Sequence, residues 1–443
     1  MPRLPESAVG DAFTSEHAWE TLTDLVEVGN RMAGQEGERA GSAVVEAAFE
    51  DAGLRAVDTE LFEVPGWWRG GSSLSVEGRG EWAADHHVVA LPGTPAGEVE
   101  APIVDLGHGM PEDIGDEVEG CVAMARSDMA EGDRWVHRME KYASAAEHGA
   151  VGFLFRNHVP GNLPPTGEVG YHDRPGPIPA VGVSKELGAR LARYAGDDAA
   201  VGLSVDCRNA PTKSVNTHAV LGPDTDEEVL VTAHVDAHDI AEGAEDNGVG
   251  SALLPEIGRL LLLVEEDLDT RVRLVAFGSE EIGLYGAYHH AETGEAPPKA
   301  VMNVDGAGSS RDPRVRTHGF EGLEAAFSAA ADRYDAPLSV SEGVVPHADS
   351  WPFVERGIPA VTIGSKREGE GRGWGHTHAD TLDKLDPRDL RALAAIYAES
   401  VLELADSSRE FPRRDPDGIR DALTDGYVRE LKVGGRWHFE DPT

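Results

Sequence analysis

The sequence predicts an α/β protein: a mixed, largely parallel sheet sandwiched by helices, with an inserted α+β, β-rich domain. In the C-terminal half, apolar strand-like runs alternate with helical segments, which is typical of a sheet covered on both faces. Upstream, short β-rich runs are separated by Gly, Pro and acidic residues. We therefore predict a main domain over 1–84 plus 207–443 and an inserted domain over 85–206.

The N-terminal part predicts two helices followed by short strands. Helices are expected at 18–28 and 38–52, the second ended by Gly53. The alternating residues of 57–80 predict short strands joined by the turn-rich segment "GWWRGG". Trp67 and Trp68 in that segment are expected to be partly buried.

Regular elements are expected in both domains. In the inserted domain, strand-like runs occupy 101–107, 120–126, 149–157 and 178–184, with one helical stretch at 136–149. In the main domain, strands are predicted at 227–236, 270–281, 299–306 and 358–365, and helices at 250–266, 323–334 and 386–405.

The composition is strongly acidic. The chain has 80 Asp plus Glu, 39 Lys plus Arg and a formal net charge of -41, and only 7 of the basic residues are Lys. Such a charge repels nucleic acid and anionic membranes, and molar salt, which shortens the Debye length to ~3 Å, makes it tolerable in a compact fold. The composition resembles that of proteins from salt-accumulating, halophilic microbes, and we expect neither nucleic acid nor a membrane as a partner.

The chain offers no sign of export or of a disulfide scaffold. Its N-terminus lacks a charged region followed by an apolar stretch, and no apolar run approaches a membrane span. Cys121 and Cys207 are too few for a disulfide framework and lack zinc-knuckle spacing. The expected location is the cytoplasm.

Polar side chains that can bind metals follow the predicted strands of the main domain. They are His234 and Asp236, with Asp246 at the next helix; Glu280 and Glu281; Asp305; and His376, His378 and Asp380. Because ligands bind beyond the carboxyl ends of strands in open α/β sheets, these residues are expected to meet at one edge. The alternative, surface acids with incidental histidines, is disfavoured by this placement.

Imidazole and carboxylate donors without cysteine favour a catalytic site for Zn, Mn or Co. The number of donors exceeds the need of one tetrahedral ion. The sequence therefore predicts two divalent metal ions that share a carboxylate.

The segments "HVDAHDIAEGAEDNGVG", "FGSEEIGLYGA", "NVDG" and "HTHADTLDKLD" resemble the co-catalytic two-zinc aminopeptidases, metallopeptidase family twenty-eight, which include plasma glutamate carboxypeptidase-like members. "GNRMAGQEG" and "ADSWPFVERGIPAVTIG" are similar to two further segments of that family. The segments "KYASAAEHGAVGFLFRN" and "IPAVGVSKELGARL" resemble a protease-associated (PA) domain. The resemblance implies the zinc-peptidase fold, with a PA domain inserted.

The resemblance also implies roles for individual residues. His234 and Asp305 would bind one metal ion, Glu281 and His376 the other, and Asp246 would bridge them. Glu280 would be the general base, and the peptide bond after Asp246 would be cis.

Other assignments are less direct. Asp236 is expected to accept a hydrogen bond from His234 and so to fix the tautomer of that metal ligand. The family pattern selects His376 over His378, and Gly375 stands where some members carry a Tyr that supports the oxyanion, so the oxyanion stabiliser is unassigned. His238 and Asp239 are expected in the wall of the loop, and His347 and Asp349 on the substrate side of the cleft, with plain loop roles as the alternative for all four.

These observations predict a metal-dependent exopeptidase, first of all an aminopeptidase acting on short peptides. Alternatives on the same site are a carboxypeptidase-like enzyme, with Arg367 or Arg372 as carboxylate clamp, an N-acyl-amino-acid amidohydrolase and a small-molecule amidase. A non-catalytic binding protein is disfavoured because the set of metal-binding residues is complete.

Overall fold

The computed structural model describes residues 3–197, 199–294, 297–367 and 373–440. Its helices are α1 (Glu6–Ala12), α2 (His17–Glu27), α3 (Glu36–Asp51), α4 (Arg138–Glu147), α5 (Lys185–Ala195), α6 (Val249–Leu262), α7 (Tyr285–Thr293), α8 (Leu323–Arg333), α9 (Trp351–Val354), α10 (Pro387–Ala405), α11 (Pro416–Arg420) and α12 (Asp425–Gly434). Its strands are β1 (Arg55–Val76), β2 (Gly80–Trp82), β3 (Val88–Ala90), β4 (Gly97–Asp105), β5 (Val122–Arg126), β6 (Gly152–Arg156), β7 (Ala180–Val183), β8 (Ala200–Leu221), β9 (Glu228–His234), β10 (Arg271–Phe277), β11 (Ala300–Val304), β12 (Pro313–Arg316), β13 (Ser339–Ser341) and β14 (Ala360–Ser365).

The strands form one mixed sheet in the order β13-β12-β14-β11-β9-β10-β8-β4-β5-β6-β7-β3; off this path, β1 pairs with β8 and β2 pairs with β1. Its centre is parallel: β10 pairs with β9, β9 with β11, and β11 with β14. After its first residue β9 is buried throughout, as expected for a parallel strand covered on both faces. The predicted mixed, largely parallel sheet is confirmed.

Two long, buried helices cover the central strands. Helices α6 and α10 pack against β9 and against each other. Helix α10 begins where the side chain of Asp386 accepts a hydrogen bond from the backbone N–H of Arg388, with proline as its first residue. The predicted helix at 386–405 is therefore present, and it buries nearly every residue from Leu390 onward.

The prediction of a turn at "GWWRGG" is wrong. These residues lie inside β1, which has 22 residues and pairs antiparallel with the equally long β8. The register shifts between Arg69 and Ser72, so the two glycines are absorbed as an irregularity while pairing continues on both sides. Trp67, only 2% exposed, belongs to the core rather than to a loop.

The region predicted as the inserted domain contains the parallel strands β4, β5, β6 and β7 and the helices α4 and α5. Strand β8 begins within this region and continues into the main domain without interruption, so no element ends at 206. The domain limits 1–84 plus 207–443 and 85–206 stay a prediction.

Two features near the chain ends were not predicted. Helix α1 precedes the first expected helix, and α12 packs against α4 of the inserted region. Within the described ranges, no helix combines the length and the apolar character needed to cross a membrane.

Candidate metal centre

The polar residues at the strand ends meet as predicted. Strand β9 ends at His234, β10 is followed by Glu280 and Glu281, and β11 by Asp305. Because β9, β10 and β11 are parallel, these residues share one edge of the sheet. His376 reaches the same place from the loop after β14, and the donor atoms form two clusters.

The first cluster consists of His234, Asp246 and Asp305. Each residue offers one ligand atom, and these atoms lie within 4.8 Å of one another. Nε2 of His234 is 3.5 Å from Oδ1 of Asp246. His234 is buried, whereas the two carboxylates are partly exposed.

The second cluster consists of His238, Glu281 and His376, all buried. Nε2 of His376 lies 3.3 Å from Oε2 of Glu281, and Nε2 of His238 lies 3.0 Å from the same oxygen. The sequence pattern placed His238 in the wall of the loop, and the structure brings it among the donors instead. Spacing alone could not show the inward direction of this side chain.

Asp246 joins the two clusters. Its Oδ1 faces His234, and its Oδ2 lies 3.3 Å from Nε2 of His376. Burial opposes ionisation of this carboxyl, but the two histidines hold its pKa well below the ordinary value. An ionised carboxylate with one oxygen toward each cluster has the geometry of a bridging ligand. The peptide bond between Asp246 and Asn247 is cis, as predicted.

The donor atoms fit divalent metal ions. Nε2 of His234, Nε2 of His238 and Oε1 of Glu281 are buried without hydrogen-bond partners. Buried polar atoms without a partner are rare in folded proteins because they lose their hydration without compensation. Imidazoles and carboxylates without thiolates are the donor set of catalytic Zn, Co and Mn sites. Metal ligation would satisfy these atoms.

Glu280 lies beside the first cluster but belongs to neither. Its Oε2 is 3.9 Å from Nε2 of His234, and it lines the cavity above both clusters. Burial raises the pKa of Glu280 well above its ordinary value, with His234 opposing the shift and Glu281 adding to it. Burial also opposes ionisation of Glu281, but His238 and His376 outweigh it and hold the pKa of Glu281 well below the usual range. Adjacent carboxyls are thus pushed in opposite directions.

Asp236 contacts both His234 and the turn that follows β10. His234 Nδ1 contacts the backbone carbonyl oxygen of Asp236 at 3.0 Å, while the Asp236 carboxylate is 3.5 Å from that nitrogen. The carboxylate instead accepts the backbone N–H groups of Glu280 and Glu281, at 3.0 and 3.1 Å. It therefore fixes the turn that carries both glutamates. The role of the Asp236 carboxylate as the acceptor for His234 stays a prediction. The shorter contact of His234 Nδ1 is with the backbone carbonyl oxygen of Asp236.

Three further buried ionisable side chains, those of Arg31, Glu38 and Asp380, support the loops of the site. Arg31 donates to the carbonyl oxygens of Val235, Glu242 and Gly243, which fixes the loop between β9 and Asp246. Glu38 accepts from the backbone N–H and hydroxyl of Ser279, next to Glu280.

Asp380 accepts the backbone N–H groups of Glu245 and Asp246, at 2.8 and 3.0 Å. Burial raises the pKa of Asp380 to about 7 and that of Glu38 to about 8. Asp380 was among the residues expected at this edge of the sheet, whereas no sequence signal beyond their motifs singled out Arg31 and Glu38.

The remaining candidates have other contacts. Asp239 forms an ion pair with Arg69 at 2.6 Å. His347 lines the cavity and contacts Glu430 at 3.0 Å. Asp349 is fully buried, and neither of its carboxylate oxygens has a hydrogen-bond partner. His378 is half-buried and belongs to neither cluster.

The inserted region takes part in the site. The backbone N–H of Thr166 donates to the carbonyl of His376 at 2.8 Å, and His376 Nδ1 lies 3.3 Å from the carbonyl of Thr166. A ring nitrogen held by a backbone carbonyl fixes the orientation of a histidine whose other nitrogen faces a metal. The sequence contained no pattern that would link these two residues.

A cavity of about 610 Å³ opens over both clusters. Its walls include Arg138 and Thr166 from the inserted region, Arg316 from β12 and Arg436 from the C-terminal segment. This volume is in the range of pockets that hold small ligands. Two donor clusters below a cavity of this size fit a metal-dependent hydrolase with room for a small ligand.

Comparison with known proteins agrees with this class. Residues 216–401 match the model of peptidase family M28, and residues 96–191 match that of the PA domain. The chain thus has the family match and the PA-domain match that the sequence motifs predicted. It is a metal-dependent peptidase.

Relatives are similar over most of their length. Aminopeptidase YwaD of Bacillus subtilis (strain 168) is 27% identical over 408 residues, which cover 88% of this chain and 85% of the relative. Carboxypeptidase Q of Homo sapiens is 26% identical over 417 residues, covering 89% and 87%. Among solved structures, a peptidase M28 precursor from Shewanella amazonensis SB2B is 25% identical, with a TM-score of 0.77 and coverage of 93% and 98%. The fold is also that of a zinc aminopeptidase from Bacillus subtilis, with a TM-score of 0.72, 24% identity and coverage of 92% and 98%.

Proposed function

We propose that the protein is a two-metal aminopeptidase that removes N-terminal residues from short peptides. The observation that carries this proposal is the position of Asp246, which has one carboxylate oxygen at each donor cluster, below a cavity that also contains Glu280. The similarity to an aminopeptidase of Bacillus subtilis supports the same reaction.

The proposed ligand roles follow the two clusters. His234 and Asp305 bind one ion, Glu281 and His376 the other, and Asp246 bridges them. The contacts of 3.3 to 3.5 Å between these donors are compatible with atoms that converge on a common centre. The matching donor set supports Zn, with Co or Mn as substitutes.

When bound, the two ions would supply Lewis acidity that acidifies a water and polarises the scissile carbonyl. Glu280 is the general base: its carboxylate takes a proton from the attacking water and delivers it to the nitrogen of the leaving amine. Asp236 aims Glu280 because it binds the backbone N–H of that residue.

Acidic side chains at the metal edge of the cavity support capture of a peptide N-terminus. Glu280 and Asp305 line the cavity, and the buried carboxyl of Asp349 lies close enough to raise the pKa of Glu280. Acidic groups favour burial of an α-ammonium and disfavour burial of an α-carboxylate.

The test compares three forms of one dipeptide or tripeptide: free, N-acetylated and C-terminally amidated. We expect acetylation to abolish cleavage and amidation to change kcat/KM by less than about tenfold, or 1.4 kcal/mol of transition-state stabilisation. Cleavage of the acetylated peptide would instead indicate an amidohydrolase or a carboxypeptidase. Refusal of the amidated peptide alone would select the carboxypeptidase.

One observation favours the carboxypeptidase as second candidate. Arg316 lines the cavity and is partly buried, and it forms no ion pair with any carboxylate in the described part of the chain. In so acidic a protein, an arginine kept from acids is suited to bind a substrate carboxylate. Similarity to carboxypeptidase Q points the same way.

The arginines expected from the sequence are less suited to this task. Arg367 is held by Glu245 at 2.6 Å, and Arg372 lies outside the described residues. If the amidated peptide is refused, Arg316→Gln should abolish the discrimination between the free and the amidated form.

We also propose that the enzyme works in a salt-rich cytoplasm. The net charge of -41 supports this, because its self-repulsion must be screened. Activity and melting temperature measured over increasing KCl are expected to rise into the molar range. Maximal stability near 0.1 M KCl would contradict this proposal.

A further inference from the structure

His238 lies in the loop that leads from β9 to Asp246, and the backbone fixes its place. The backbone N–H of Ala237 donates to the carbonyl of Arg31 at 3.1 Å, and Arg31 Nε donates to the carbonyl of Val235 at 2.9 Å. The loop is therefore tied down at Val235 and Ala237, directly before His238. Its side chain points into the protein, where it is 5% exposed.

The surroundings of His238 are those of a ligand rather than of a core residue. Its Nε2 lies 3.0 Å from Oε2 of Glu281, and its ring lies 4.5 Å from the ring of His376 in an edge-on arrangement. Neither ring nitrogen has a hydrogen-bond partner, so the contact with Glu281 is close but not aligned as a hydrogen bond. A buried imidazole in this state is costly unless something else binds it.

We infer that His238 is a third protein ligand of the second metal ion. With Glu281 and His376 it forms a set of two histidines and one carboxylate, and Asp246 supplies the fourth donor. Two histidines and a glutamate are an established ligand set of catalytic zinc. This assignment rests on the proposed two-metal function and adds a ligand that the sequence motifs do not supply.

The two ions would then have different ligand sets. The first cluster offers one imidazole and two carboxylates, whereas the second offers two imidazoles and one carboxylate. Imidazole-rich sites suit Zn, and carboxylate-rich sites tolerate Mn more readily. His238 therefore makes the second cluster the tighter and more zinc-selective site.

The test uses the full-length protein loaded with Co²⁺ or Zn²⁺, as wild type, His238→Ala and His238→Asn. His378→Ala is the matched control because His378 is two residues from His376 and outside both clusters. Competition with a chromophoric chelator gives two dissociation constants, and X-ray absorption counts the imidazoles bound. We expect both His238 variants to weaken the binding of one ion by about 10²-fold or more. Loss of a residue that only supports a ligand costs up to about that much affinity.

The imidazole count should fall from three per protein to two in folded His238 variants and stay at three in His378→Ala. An unchanged count, with or without weaker binding, would overturn the inference and leave His238 as a residue that positions Glu281. Lost turnover with unchanged metal binding would overturn it too. Because these readouts need no substrate, a wild-type protein that shows three bound imidazoles but cleaves no peptide would contradict only the proposed function.

Discussion

The two donor clusters differ in both chemistry and support. The first, His234, Asp246 and Asp305, has one imidazole and partly exposed carboxylates. The second contains two imidazoles, and all of its residues are buried. A site of this kind is asymmetric, so its two ions should differ in affinity and in exchange even though they share Asp246.

The support of the clusters differs as well. His234 is held within its own loop, by the carbonyl of Asp236, and its backbone carbonyl accepts from the hydroxyl of Ser251. His376 is held by Thr166 of the inserted region. The inserted PA domain thus contacts the second cluster directly, through the two contacts between Thr166 and His376.

The largest effect is expected from Asp246, which contacts both clusters. Asp246→Ala should weaken both ions and reduce kcat/KM by at least ~10³-fold, because the shared ligand and the site geometry are lost together. Asp305 belongs to the first cluster, so Asp305→Ala should weaken the binding of only one ion. Metal content measured after dialysis checks this. Equal loss in the two variants would break the distinction between the clusters.

Glu280→Gln should separate chemistry from metal binding. Both ions should remain, while kcat falls by about 10² or more because proton transfer is removed. Glu266→Gln is the control, since Glu266 is exposed and does not follow a strand of the site. Metal loss in Glu280→Gln would show that Glu280 and Glu281 have exchanged roles.

The link to the inserted domain can be tested at Thr166. Thr166→Pro removes the backbone N–H that donates to His376, while Thr166→Ala keeps it. We expect the proline variant to weaken the second ion by ~10- to 100-fold, as for other supports of a ligand, and to leave the first unchanged. Chelator competition measures both. A similar effect in the alanine variant would assign the loss to the hydroxyl instead.

The smallest expected effect concerns metal exchange. Added to the Zn-loaded protein, Mn²⁺ should replace the ion of the first cluster before that of the second, with a difference in exchange affinity of at least ~10-fold. Electron paramagnetic resonance of Mn with total Zn analysis follows the exchange. Simultaneous replacement of both ions would mean that the donor sets are equivalent in practice.

The sequence predicted the parallel strands and their polar ends because fully buried strands are long apolar runs, as in β9 and β11. It predicted short strands in 57–80 but not one continuous β1, because the glycine-rich segment "GWWRGG" is extended only by pairing with β8. The position at strand ends identified the donors of both clusters except His238. That residue lies in a loop, where no periodicity shows which way a side chain points. The binding of Asp236 to the turn at Glu280 also depends on a loop that is distant in sequence.

The central claim is that activity requires two ions held by these two clusters. The most direct measurement is reconstitution: metal is removed with a chelator, its absence is verified by elemental analysis, and activity is followed at high salt as Zn or Co is returned. We predict no activity in the metal-free protein and full activity only near two equivalents. Full activity in a verified metal-free sample would contradict the account.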